Sequence, residues 1–194
     1  MIKKCILLII FCLSLLSVQA QNDFFKTPVW SISVYHHSVG LSIKKPINVG
    51  FTLGAEFTYK QKEVSSWHQK VEIGFFHHKN LNKALYLKTD IVNRYTTKNG
   101  FYGEAQIGVG YLYDMPAYQP FVLDENGSFQ ASNLSGKSGF ISSLGLGAGY
   151  QFTTNEKLTI APFIRYEGMI QLPYSEFVPV FPHSLLHIGS RIKL

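Results

Sequence analysis

The sequence predicts an all-β fold: an eight-stranded antiparallel up-and-down barrel, closed on itself and crossing a membrane with its strands. Three observations predict it. Eight segments alternate apolar and polar residues, the pattern of a strand whose two faces meet different surroundings. The connections between these segments alternate between short and long. The charges inside the segments fall on the face that also carries the glycines.

The chain opens outside that pattern. Lys3 and Lys4 precede an apolar run from Cys5 to Leu16, and Val18-Gln19-Ala20 supplies small residues for cleavage. This order reads as a secretory signal peptide over 1–20, cut before Gln21, with one barrel domain over 21–194. The run is short for a membrane anchor, which needs roughly 20 apolar residues. Cys5 and Cys12 leave with the leader, so the mature chain is expected to hold no disulfide, thiol nucleophile or cysteine metal ligand. The formal charge of +6 falls by two on losing Lys3 and Lys4. The remaining basic residues are scattered among acidic ones, which argues against a nucleic-acid partner.

The expected strands follow in order. Trp30–His37 alternates Trp30, Ile32 and Val34 with Ser31, Ser33 and Tyr35. Val49–Lys60 sets Phe51, Leu53, Ala55, Phe57 and Tyr59 against Thr52, Gly54, Glu56, Thr58 and Lys60. Trp67–His78 sets Val71, Ile73 and Phe75 against Lys70, Glu72 and Gly74. Ala84–Tyr95 opposes Leu85, Leu87 and Ile91 to Lys88, Asp90 and Arg94. Phe101–Tyr113 opposes Ile107, Val109 and Tyr111 to Glu104, Gln106 and Gly108. Phe140–Phe152, Leu158–Ile170 and Ser184–Leu194 complete the set. Each is near the roughly 9–11 residues that a tilted membrane strand needs.

Lys60–Ser66, Thr96–Gly100 and Thr153–Lys157 are short polar connections; His37–Asn48, Asp114–Lys137 and Leu172–His183 are long. His78–Lys83 is short on the long-loop side, and Asp124-Glu125-Asn126-Gly127 reads as a hairpin tip. Short turns on one rim and long loops on the other are the habit of bacterial outer-membrane barrels, with both termini periplasmic. The apolar face suits lipid, and Trp30, Tyr59, Trp67, Tyr95, Tyr111, Tyr113, Tyr150 and Phe152 lie near strand ends, where aromatic girdles sit. Lipid forbids unpaired strand edges, so the sheet must close. The opposite face would place Glu56, Glu72, Lys88, Asp90, Arg94, Glu104, Arg165, Glu167 and Arg191 in the lumen as an ion network. The rival is a periplasmic, lipocalin-like soluble barrel.

With these segments in place, the chain resembles the small eight-stranded outer-membrane barrels of the OmpA-transmembrane, OmpX and OmpW-like group. The resemblance is architectural and covers the mature chain. It implies a Gram-negative, porin-like envelope protein in contact with outer-membrane lipid, including lipopolysaccharide, and open to contact with another outer-membrane protein. The last strand departs from the group's habit: Ser190 interrupts the alternation and the final residue is Leu194, not an aromatic.

Three sets of residues are candidates for function, and no cofactor is expected. His36-His37-Ser38 resembles the His-x-Ser motif of lipid A 3-O-deacylases, with His36 as base and Ser38 as nucleophile, and Pro46 and Asn48 at a loosely similar distance to that family's acidic partner. Closure brings the first and last strands together, so His37 and His183 could share a metal. The loop Leu172–His183 is rich in proline and aromatics, and Tyr174, Phe177 and Phe181 are its candidate recognition residues. Gly145-x-Gly147-x-Gly149 precedes no helix and makes no nucleotide site. Glu104 and Glu167 have arginines at hand and read as ion-network members rather than hydrolytic carboxylates. The sequence thus points first to a non-enzymatic accessory, adhesion or envelope-structural protein acting through extracellular loops. A lipid A-modifying hydrolase is the second reading, and a narrow pore the third.

Overall fold

A computed structural model describes residues 28–40, 48–79, 81–116, 121–123, 127–131, 136–153, 158–175 and 178–193. The leader, Pro46, the stretch 124–126, Phe177 and Leu194 lie outside the described residues.

The strands are β1 (Val29–Val39), β2 (Asn48–Gln61), β3 (Ser65–His78), β4 (Asn82–Thr96), β5 (Phe101–Pro116), β6 (Phe121–Leu123), β7 (Phe129–Ala131), β8 (Lys137–Tyr150), β9 (Phe152–Thr153), β10 (Thr159–Leu172) and β11 (Phe181–Lys193). Eight of them, β1–β5, β8, β10 and β11, form the wall, each paired antiparallel with its neighbours. The short β9 continues the line of β8 and pairs with the start of β10. β1 and β11 pair from Trp30–Ile192 to Val39–His183, which closes the sheet. The fold expectation is therefore met: an eight-stranded antiparallel up-and-down barrel.

The period of two governs the wall. Along β4, Asn82, Ala84, Tyr86, Lys88, Asp90 and Val92 are buried, while Leu85, Leu87 and Ile91 face out. The outward residues are bulky and apolar: Leu144 is 65% exposed, Ile188 63% and Val34 57%. Water would not tolerate such a continuous apolar belt, whereas hydrocarbon requires one. Trp30, Tyr59, Trp67, Tyr95, Phe101 and Phe152 ring the short-connection rim.

The inward face needs glycine because the bore of eight strands is narrow. A Cβ at Gly74 would collide with the ring of Tyr86 on the neighbouring strand, and one at Gly50 with that of Tyr35. These tyrosines fill an apolar layer with Phe76, Ala84, Leu112, Ile141, Met169 and Leu185. It lies in the half of the lumen nearer the long connections.

Two boundaries differ from the sequence reading. Pairing of β10 with β11 continues to Gln171–Phe181, so Phe181, Pro182 and His183 are strand and the connection begins only at Pro173. Part of the long connection after β5 folds on itself as β6 and β7, whose pairing ends at Leu123–Phe129. The expected tip Asp124-Glu125-Asn126-Gly127 lies outside the described residues except for Gly127, which has a φ of 75°.

Candidate functional site

Inward charges come in two tiers. Nearer the short connections, Arg94 and Arg191 alternate with Glu56 and Glu104 in a closed ring. Arg94 bonds Glu56 at 2.7 Å and Glu104 at 3.0 Å. Arg191 bonds Glu56 at 2.6 Å and Glu104 at 2.5 Å, and donates to Tyr102 Oη at 2.7 Å. An open vestibule of about 290 Å³, lined in part by Lys62, Ser66, His68 and Lys98, leads from the rim to this ring.

The second tier lies at mid-height. Lys70 meets Glu72 at 3.1 Å and Asp90 at 3.2 Å, and donates to Gln106 Oε1 at 2.9 Å. Lys88 meets Asp90 at 3.0 Å and Glu167 at 2.5 Å. Arg165 crosses from β10 to Glu72 on β3, 3.1 Å away, and these strands stand opposite one another in the barrel. It also donates to His187 Nδ1 at 3.1 Å. With Lys70 counted, five bases face five acids, and all but Arg94 are buried. The Arg165–Glu72 contact spans the lumen from one wall to the other. Charges buried this deeply are tolerable only because each has oppositely charged partners.

Above the apolar layer, at the long-connection rim, lies a polar cup. His37 Nε2 and His183 Nδ1 are 2.9 Å apart, so closure does bring this pair together, engaged with each other. His183 Nε2 meets Gln171 Oε1 at 3.2 Å, and Gln171 and Asn82 both donate to Asp114. Phe76 stacks on His37 with centroids 4.0 Å apart, and the His78 ring stands edge-on to His37. Among the described residues, no group of three or more His, Cys, Asp or Glu is arranged to hold a metal ion.

His36 and Ser38 occupy outward positions of β1, where Ser38 is nonetheless buried. His36 Nε2 and Ser38 Oγ are 3.1 Å apart. Where a hydrolase would orient the base with a carboxylate, His36 Nδ1 meets main-chain atoms of Asn48, the carbonyl at 3.2 Å and the amide at 3.3 Å. Tyr174 stacks on Phe181 with centroids 4.0 Å apart and planes at 13°, and Phe181 in turn packs edge-on to His183. Burial, with Asp114 nearby, raises the Tyr174 phenol above its ordinary pKa. These two rings therefore cover the cup, while Val178 and Val180 face outward.

This backbone has a counterpart among solved structures. It is similar to that of Neisserial surface protein A. The match has a TM-score of 0.51 at 10% identity, over 86% of this chain and 97% of the other. The N-terminal β-barrel domain of Pseudomonas aeruginosa OprF matches at 0.48 and 11% identity, over 86% and 97%. The outer membrane enzyme PagL matches at 0.47 and 11% identity, over 82% and 97%. The sequence matches no protein-family model and no curated protein. The fold of small outer-membrane barrels is thus shown, and the barrel's apolar belt agrees with it.

Sequence reasoning missed Lys70, Gln106, Asp114 and Gln171 as members of these clusters, whereas His78 was expected at the long-connection rim with His36, His37, His77 and His183. Alternation had placed Lys70 on the polar face, but its lumen role appears only with its cross-strand partners Glu72, Asp90 and Gln106. Asp114 looked like the start of a loop and is the penultimate inward position of β5 before the rim.

Proposed function

We propose that the protein is a non-enzymatic, non-conducting component of the bacterial outer membrane that acts through the rim carrying its long connections. Both termini would then be periplasmic, lipopolysaccharide would surround the outer half of the wall, and a partner would meet the Tyr174–Phe181 lid and the β6–β7 hairpin. One observation carries this reading: Arg165 bonded to Glu72 spans the lumen at mid-height, within a tier of buried ion pairs. The protein's remaining means of action are its surfaces. Reconstitution into planar bilayers tests it. The expected trace is flat at low and high salt. Stable single-channel steps whose conductance or ion selectivity changes in Glu72→Gln or Arg165→Met would establish a pore instead.

The His36–Ser38 contact favours a second reading, a lipid A-modifying hydrolase. If His36 Nδ1–H donates to the Asn48 carbonyl, Nε2 is left as acceptor for the Ser38 hydroxyl. Ser38 occupies an outward position of β1 but is only 2% exposed, so an acyl ester would have to displace the groups that cover it. Mass spectrometry of lipid A from expressing cells separates the two readings. The non-enzymatic reading expects identical spectra with and without Ser38→Ala; a deacylated species lost in the variant would establish the hydrolase.

A further inference from the structure

His37 has no exposed surface. The position of its proton follows from a chain of hydrogen bonds that starts at a carboxylate. Asp114 accepts from Asn82 Nδ2 at 2.7 Å and from Gln171 Nε2 at 3.4 Å. A carboxylate only accepts, so Gln171 turns its NH2 group to Asp114 and its oxygen away. That oxygen lies 3.2 Å from His183 Nε2, which must carry the hydrogen. An imidazole with no exposed surface and no carboxylate beside it is neutral and holds one ring hydrogen. His183 Nδ1 is therefore bare, and it accepts from His37 Nε2–H at 2.9 Å. What remains on His37 is the lone pair of Nδ1, buried and without a hydrogen-bond partner.

A second imidazole nitrogen nearby also lacks a hydrogen-bond partner. His78 Nδ1, at the end of β3, is buried and unpartnered. The rings of His37 and His78 stand at 89° with centroids 5.8 Å apart. Two imidazoles sharing one ion at the usual nitrogen–metal length of about 2.0–2.1 Å have centroids about 5–6 Å apart.

We propose that His37 and His78 together bind a late first-row transition-metal ion of the Cu2+ or Zn2+ class through their Nδ1 atoms, with water completing the coordination, beneath the Tyr174–Phe181 lid. Bare imidazole nitrogens suit these ions. The relay from Asp114 through Gln171 and His183 is the outer support that metal-bound histidines usually have: it fixes the tautomer and makes Nδ1 more basic. The site differs from a His37–His183 chelate because the nitrogens those two rings turn to each other are already hydrogen-bonded.

The full chain, folded in detergent and checked by heat-modifiable migration on gels, is titrated with Cu2+ by electron paramagnetic resonance and with Zn2+ by calorimetry. The expected result is one ion per barrel with hyperfine splitting from two imidazole nitrogens. His78→Ala should weaken binding at least tenfold, and Gln171→Leu, which breaks the relay without touching a ligand, by about 10–100-fold. His77→Ala, on the outer face beside the site, should leave binding unchanged. His37→Ala should abolish the two-nitrogen signal; should that barrel fail to fold, the half-buried His78 decides alone. Absence of stoichiometric uptake, uptake unchanged in His78→Ala, or uptake lost in His77→Ala would each overturn the proposal; the first would leave water between the two nitrogens.

Discussion

At the scale of single residues, the lumen is governed by volume and by charge. Gly74 and Tyr86 occupy one volume between two strands. Gly74→Ala must displace the tyrosine ring from its packed layer and is expected to cost about 1–3 kcal/mol. A lower urea midpoint for loss of heat-modifiable migration, partly recovered by Tyr86→Leu in the same chain, would show that the two compete for space. Charge gives a second test. Arg165→Met leaves Glu72 and Glu167 short of a partner in the barrel's interior, an expected loss of about 3–5 kcal/mol. Adding Glu72→Gln should return part of it, because the uncompensated charge is removed. If the double variant is as unstable as the sum of the two single ones, the ion pair is not coupled and this account of the lumen fails.

At the scale of strands and connections, most of the wall was legible in the sequence, because lipid outside and a crowded lumen inside impose a period of two with few exceptions. Ile107 and Ile164 face out, while Glu104 and Arg165 face in. Cysteine scanning should accordingly give labelling by a lipid-phase reagent at positions 107 and 164 and none at 104 and 165. The reverse pattern would invert the barrel. What the sequence obscured was local. Proline marks turns, so the sequence reads Pro182 as loop, yet it pairs with Ile170 inside the β10–β11 ladder. The cup was obscured for another reason. Asn82 and Asp114 lie on the paired strands β4 and β5, and Gln171 and His183 on the paired strands β10 and β11; the curved wall brings these two pairs together across β8, and only closure adds His37. His36 and Ser38, by contrast, sit two apart on one strand, so sequence spacing alone put them on the same face. The β6–β7 hairpin pairs with no wall strand. Deleting 121–131 should leave heat-modifiable migration intact; a barrel that fails to assemble would show that the hairpin packs on the wall.

At the scale of the whole molecule, the ion pairs join parts of the chain that are far apart in sequence. Arg191 and Glu56 are separated by 135 positions, Arg165 and Glu72 by 93, and Arg191 and Glu104 by 87. None of these partners can meet while the sheet is open. Before β11 reaches β1, Glu56 and Glu104 have only Arg94 to share in their ring. The last strand therefore brings with it the cation that completes the ring, in the same event that satisfies the edge of β1. Long-range closures of this kind are slow, because loop entropy is lost before the contacts form. An incompletely closed sheet would have to carry uncompensated carboxylates toward hydrocarbon, which lipid opposes strongly. The charges packed in the lumen thus act as a checkpoint in biogenesis. Arg191→Leu should slow the appearance of the compact, heat-modifiable form during refolding into lipid vesicles far more than an outward substitution on the same strand, such as Ile188→Ala.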